Sequence, residues 1–233
     1  WRLRECDDRL GLMLSQRLNL PEIVGRLLAL RGITGDSADK FLTPTLRDWL
    51  PDPFSLKDME KSVARLVRAI SNSESIVIFG DYDVDGATSS ALLARFFNLI
   101  GVTTKIYIPD RIKEGYGPNE KALSQLKSEG TDVVITVDCG VTAFKPIASG
   151  TKSGLDIIIV DHHVAEPKLP DAFAVINPNR LDDNSDLGRL AAVGVTFLLA
   201  VAINRSLRDN GFYGADKIVE PNLMELLDLV ALG

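Results

Sequence analysis

The chain has 233 residues, of which 45% are apolar and 25% charged, and its net charge at pH 7 is −6. Such a composition suits one large globular domain, or one domain plus an extension, and no run approaches the ~18 consecutive apolar residues that a membrane-spanning helix needs. The acidic balance excludes a protein that holds nucleic acid by bulk charge alone, so such a partner would have to be met by local basic groups or by bound cations.

The charged start, residues 1–10, lacks the apolar centre of a signal peptide. Cys6 and Cys139 lie far apart and form no CxxC pair, which points to a reducing, cytoplasmic setting without a disulfide framework. Residues 1–70 read as a helical extension. Leu10, Leu14 and Leu18 precede Pro21 at helical spacing, and residues 21–32 carry an apolar face that ends at Gly32. Asp36 is placed to cap a short helix through Phe41. Residues 43–58 are turn-rich, with three prolines, and a helix from Ser55 to Ile70 shows Met59, Val63, Leu66, Val67 and Ile70 on one face. This part holds no chemical motif.

From Ser75 the pattern becomes strand–helix alternation. Predicted strands are Ile76–Phe79, Thr104–Ile108, Asp132–Val137, Asp156–Val160 and Phe173–Ile176. Predicted helices are Ala87–Ile100, Asn119–Ser128, Ala143–Ser153 and Arg189–Leu207. Strands without polar alternation are buried on both faces. The fold class is therefore α/β, a doubly wound, mostly parallel five-stranded sheet with an N-terminal helical extension. Right-handed crossovers bring the loops after the strands to one edge.

Those loops carry the unusual residues. Ile76–Gly86 reads IVIFGDYDVDG, placing Asp81, Asp83 and Asp85 just past a strand. Carboxylates this close repel, and the turn is either a solvated acidic surface or a site for a hard divalent cation. Asp138-Cys139-Gly140 follows the third strand, and Asp161-His162-His163 follows the fourth, using both histidines of the chain. Carboxylates plus imidazole, with no thiolate cluster, suit Mn²⁺ or Mg²⁺ better than structural zinc. Asp138 is well placed to bridge two ions, and Cys139 reads as a packing residue. Arg111 and Lys113, in the loop RIKEGYG, are either phosphate contacts or solvated loop residues. Tyr116 either stacks on a base or packs internally. Ser89 and Ser90 have no partner histidine nearby and read as packing or capping residues. Near the end, EPNLMELLDLVALG reads as an amphipathic helix with Leu223, Leu226, Leu227 and Val230 inward, and Asp228 is a boundary residue or a further ligand. The first turn lacks GxGxxG and places aspartates where a pyrophosphate would sit, which argues against a Rossmann-type nucleotide binder.

GDYDVDG, VDCG and DHH, in this order and spacing, resemble the DHH phosphoesterase superfamily, and within it the bacterial RecJ-type exonucleases specific for single strands. The segment FLTPTLRDWLPDPFSLKDMEKSVARLVRAI, the loop RIKEGYG, the INPN after the fifth strand, AAVGVTFLLA and the final LLDLVALG are similar to that family as well, so the resemblance runs from about residue 20 to the end. It implies two divalent cations, Mn²⁺ or Mg²⁺, with Asp83 and Asp85 on one ion each, Asp138 between them, His162 a ligand and Asp228 completing one site. It implies that Asp81 is a ligand or stands just behind the ligands, and that His163 contacts the scissile phosphate or the leaving oxygen. Phe79 stands where the related manganese pyrophosphatases have a histidine, which argues for a nuclease.

The activity implied is 5′-to-3′ hydrolysis of single-stranded DNA in repair and recombination by a cytoplasmic monomer, with a single-strand-binding protein and a helicase as partners and no membrane. The domains implied are the extension, 1–70, and a DHH catalytic domain, 71–233, with the family's C-terminal domain and OB-type module absent from this chain. Two other readings share the motifs: a phosphodiesterase for short oligoribonucleotides, pAp or cyclic dinucleotides, and an inactive module that binds single strands or partner proteins.

Overall fold

The computed structural model describes residues 2, 4–214 and 218–233. The chain divides into two compact units, Trp1–Asp52 and Pro53–Gly233. The first holds α1 (Asp8–Leu18), α2 (Glu22–Leu30), α3 (Gly35–Leu42) and α4 (Leu46–Trp49) around Leu14, Leu28 and Ala38. Its first two helices cross at glycine: a Cβ on Gly25 would lie 2.2 Å from the Gly11 carbonyl oxygen. Thr34, not Asp36, precedes α3, and Asp36 sits in its first turn.

The second unit opens with a 3₁₀ turn, Pro53–Ser55, and α5 (Met59–Ser71), a helix that sequence alone groups with the extension. Five strands follow: β1 (Ile76–Phe79), β2 (Lys105–Tyr107), β3 (Val133–Val137), β4 (Asp156–Val160) and β5 (Ala174–Ile176). They form one sheet, all parallel, in the order β2-β1-β3-β4-β5. The crossovers carry α6 (Val84–Leu99), α7 (Glu120–Ser128) and α8 (Phe144–Lys152), and α9 (Ala192–Asp209) follows β5.

Strand alternation sorts the core into two layers. Ile76, Ile78, Ile135, Ile158 and Ile176 face α5, α6 and α9. Val77, Phe79, Val134, Ile157 and Ile159 face α7 and α8. Both faces being covered, the central strands are apolar on both sides except for buried Thr136 in β3 and Asp156 at the start of β4, which is why they read as nearly uninterrupted runs. At the amino edge of the sheet, buried Arg65 of α5 donates from Nε to Asp156 (2.5 Å) and from Nη2 to Glu74 (2.5 Å).

Two boundaries differ from the sequence reading in a way that matters. Helix α6 begins at Val84, three residues before the expected start at Ala87, because the Asp83 carboxylate caps it by accepting from Gly86 N–H at 3.0 Å. The expected C-terminal helix is a 3₁₀ turn, Leu223–Leu226, followed by the single turn α10 (Leu227–Val230), with Leu226 fully buried.

The order β2-β1-β3 makes the crevice between β1 and β3 the point where successive crossovers leave in opposite directions. Open α/β sheets place their ligands there, beyond the strand carboxyl ends.

Candidate metal centre

Asp81 and Asp83 leave β1 at that point, and Asp138 leaves β3 beside them. One carboxylate oxygen from each lies within 4.8 Å of the others. Asp138 also forms a second group with His162 and His163, on the same distance criterion. Asp138 is thus common to both. Its backbone is in the left-handed region (φ 59°), an uncommon conformation for a residue other than glycine. Asp85, in the first turn of α6, brings Oδ2 to 3.7 Å from His162 Nε2, and Asp138 Oδ1 lies 3.3 Å from the same nitrogen.

The backbone at the start of α6 comes close to β1. A Cβ on Gly86 would lie 2.5 Å from the Asp81 carbonyl oxygen, so a side chain here would push the Asp83–Asp85 turn away from Asp81. The helix amino terminus adds its partial positive charge to the carboxylates gathered around it.

The histidines are held from behind. His162 Nδ1 lies 3.2 Å from the Leu190 carbonyl oxygen. A carbonyl only accepts, so Nδ1 carries the hydrogen and the Nε2 lone pair faces Asp138 and Asp85. His163 Nδ1 donates to Asp161 Oδ1 at 2.7 Å. Asp161 is fully buried and also accepts from the backbone N–H groups of His162 (2.8 Å), His163 (3.2 Å) and Val141 (3.1 Å). Asn177 and Asn179 donate to the carbonyl oxygens of His163 (2.9 Å) and His162 (2.5 Å). These three holders were not predicted as site residues. Their signal was present, since Asp161 heads the DHH motif and the asparagines belong to INPN, but a hydrogen bond to a neighbouring loop's backbone has no sequence spacing.

The electrostatics are strained without a cation. Burial, then Asp83 and Asp85, push the Asp138 carboxyl up to about 8. Burial, then Asp83, also raises Asp81, with Arg111 and His163 pulling the other way. Burial alone would raise Asp161, but the His163 hydrogen bond and the Val141 and His163 amides hold it below the usual carboxylate range. The same hydrogen bond raises His163 to about 9. Asp81 Oδ1, Asp85 Oδ1 and Asp138 Oδ1 are buried without a hydrogen-bond partner. Orphaned carboxylate oxygens are costly singly; three of them on residues that share Asp138 with an imidazole nitrogen form a donor set that suits hard divalent cations.

The remaining predicted residues divide. Arg111 is nearby, its guanidinium 4.3 Å from the ring centroid of Tyr82. Tyr116, half exposed, donates to the Asp138 carbonyl oxygen at 3.1 Å. Lys113 extends into solvent and pairs with Asp110 at 3.4 Å. The structure does not bring Asp228 to the cluster: it is exposed and pairs with Arg95 at 3.5 Å. Ser89 and Ser90 are buried in α6, and Phe79 is buried with its ring stacked on Tyr107 at 5.1 Å.

Comparison with known proteins gives the family. The chain is 38% identical over its whole length to the single-stranded-DNA-specific exonuclease RecJ of Bacillus subtilis and 37% identical to that of Escherichia coli. It spans 28% and 39% of those two proteins. Among solved structures, an exonuclease RecJ with bound manganese matches with a TM-score of 0.63 and 30% identity, over 76% of this chain and 42% of that one. The Thermus thermophilus RecJ–Mn²⁺ complex shares the fold at a TM-score of 0.74 and 24% identity, over 96% of this chain and 29% of that one. The model of the DHH family's N-terminal domain matches residues 75–233, the sheet and all of the loops that carry the cluster, and the chain belongs to the DHH family.

Proposed function

We propose that this chain carries the metal centre of a phosphodiester hydrolase that removes nucleotides from the 5′ end of single-stranded DNA, in repair and recombination. The observation that carries the reading is the meeting of Asp81, Asp83, Asp85, Asp138 and His162 at the switch point, with three carboxylate oxygens buried and unpartnered. Relatives named as single-stranded-DNA-specific exonucleases, 36–38% identical over the whole chain, support the substrate. Polarity and the repair role rest on the family resemblance, as do a single-strand-binding protein and a helicase as partners, a monomeric state and a cytoplasmic location. Among the described residues no helix is long and apolar enough to cross a membrane.

Asp81 and Asp83 would hold one divalent cation, Mn²⁺ or Mg²⁺, and His162 and Asp85 the other, with Asp138 shared. Cations so placed lower the pKa of a bound water and offset charge on the leaving oxygen. The protein's own groups do the rest. His163, protonated at neutral pH through Asp161, offers an N–H to a phosphate or leaving oxygen. Arg111, braced on Tyr82, binds a backbone phosphate, and Lys113 adds a mobile charge beside it. Tyr116 packs its ring where a base can stack, while its hydroxyl fixes the Asp138 backbone. Asp228 would join the ligands only by leaving Arg95.

The test is a hydrolysis panel run on the full-length protein with Mn²⁺: 5′- and 3′-labelled single-stranded DNA, a short oligoribonucleotide, pAp, a cyclic dinucleotide and pyrophosphate. Mononucleotides released from the 5′ end of DNA are expected. Asp138→Ala is expected to abolish Mn²⁺ binding and to lower turnover by more than the ~100-fold typical of outer partners. Cleavage of the small substrates alone would overturn the DNA assignment, and full activity in Asp138→Ala would overturn the shared-ligand centre.

A further inference from the structure

The loop between β2 and α7, residues 108–119, crosses the same sheet edge and is held by a residue that the chemistry above does not use. Glu114 is half-buried at its centre. Its Oε1 accepts from the Tyr107 hydroxyl at 2.6 Å, and its Oε2 accepts from Asp110 N–H at 2.8 Å. Asn119 Nδ2 lies 3.5 Å from Oε1, and the Glu114 N–H donates to the Asp110 carbonyl oxygen at 2.7 Å. Asp110 in turn accepts from the N–H groups of Ile112 (3.0 Å) and Lys113 (3.1 Å). A single carboxylate therefore ties the two ends of the loop to each other and to the last residue of β2. The Tyr107 hydrogen bond, then the Asp110 N–H, keep Glu114 below its ordinary range, while burial and then Glu114 raise Tyr107 to about 12, so the pair stays ionised carboxylate and neutral phenol across the working pH range.

The fastening is aimed at the cluster. The Tyr107 ring stacks on Phe79, the last residue of β1, and its carbonyl oxygen accepts from Gly80 N–H at 3.0 Å, immediately before Asp81. The loop then presents Arg111 over Tyr82, between Asp81 and Asp83, and sends the Tyr116 hydroxyl to the Asp138 backbone. Left to itself, a loop with Gly115 and Gly117 at positive φ would have wide conformational freedom.

We propose that Glu114 is a positioning residue for substrate: it fixes the 108–119 loop so that Arg111 stands over Tyr82 at the mouth of the carboxylate cluster, where it meets a phosphate of the nucleic-acid strand. This rests on the phosphodiesterase reading. Glu114→Gln keeps the shape but turns one acceptor into an N–H₂ facing either the Asp110 N–H or the Tyr107 hydroxyl. Tyr107→Phe removes one donor to the carboxylate and leaves the charge.

The experiment measures three things on the full-length protein and both variants: steady-state hydrolysis of single-stranded DNA with Mn²⁺, Mn²⁺ affinity by calorimetry without DNA, and amide hydrogen exchange of the loop. For Glu114→Gln, KM is expected to rise about tenfold with kcat within about twofold, the signature of lost uniform binding. Mn²⁺ affinity is expected to stay unchanged and exchange to quicken within 108–119 alone. Tyr107→Phe is expected to move the same readouts less. An unchanged KM, a parallel loss of Mn²⁺ affinity, or unaltered loop exchange in Glu114→Gln would each overturn the assignment. Failure of the unaltered protein to hydrolyse any nucleic acid would instead sink the phosphodiesterase reading, and the exchange data would still decide whether Glu114 holds the loop.

Discussion

Asp138 bears a heavy electrostatic load. It is fully buried, its carboxyl is raised to about 8 by burial and by Asp83 and Asp85, and one of its oxygens has no partner. In the metal-free protein at neutral pH it is therefore mostly protonated, and a cation must displace that proton. Mn²⁺ titration near pH 7, in two buffers of different ionisation heat, is expected to show release of close to one proton, with affinity rising toward tenfold per unit up to about pH 8. No release in either buffer would mean that Asp138 is already ionised. His163 behaves in the opposite sense. Its pKa is raised from 6.5 to about 9 by Asp161, so the pair's contribution to folding is whole below about 6.5 and is lost as pH rises through about 9. Imidazole NMR of the metal-free protein is expected to show one histidine titrating near 9, moving toward its ordinary value in Asp161→Asn.

At the scale of elements, the turn from β1 into α6 sets the site. A glycine inside a helix is normally improved by alanine, by about 1 kcal/mol. At Gly86 the sign reverses, because the added Cβ meets the Asp81 carbonyl at 2.5 Å. Gly86→Ala is expected to destabilise the protein by about 1–3 kcal/mol in denaturant unfolding and to weaken Mn²⁺ binding with it, since Asp81 and Asp83 separate. The opposite edge of the sheet is held by charge. Arg65, 4% exposed, pairs with Glu74 and Asp156, which keep partial contact with water. Arg65→Met leaves those two carboxylates facing each other and is expected to cost about 3 kcal/mol, at the lower end for a broken buried pair, with Mn²⁺ affinity unaffected. Equal loss of metal affinity would show that the two edges of the sheet are coupled.

For the whole molecule, the cation is an element of stability as well as of chemistry. A net charge of −6 with clustered aspartates leaves repulsion that folding alone must overcome. Mn²⁺ at 100-fold over its dissociation constant is expected to stabilise the unit that binds it by about 2.7 kcal/mol, a rise of roughly 5–10 °C in Tm for a unit of this size. The rise is expected in the melting of Pro53–Gly233, which holds every predicted ligand, and to vanish on chelation. A shift of the same size in Asp138→Ala would place the stabilising ion elsewhere.

The strands and the loop motifs are legible from local rules. Apolar runs such as Ile76–Phe79 and residues 157–160 announce strands buried on both faces, and the ordered GDYDVDG, VDCG and DHH place their carboxylates and imidazoles at strand ends. Strand order, and with it the meeting of Asp81 with Asp138 at a switch point, was decided by the tertiary structure, because pairing between distant strands leaves no periodicity in the chain. The same holds for Asp161, Asn177 and Glu114, whose partners here are a backbone N–H, a backbone carbonyl and a hydroxyl, set by how loops fold over one another. It holds for Asp228, whose apolar neighbours predicted a long helix, where the chain instead takes a 3₁₀ turn and one α-helical turn and pairs the carboxylate with Arg95. Residue type and spacing tell which groups can do chemistry; only packing decides which of them share a dielectric, a proton or an ion.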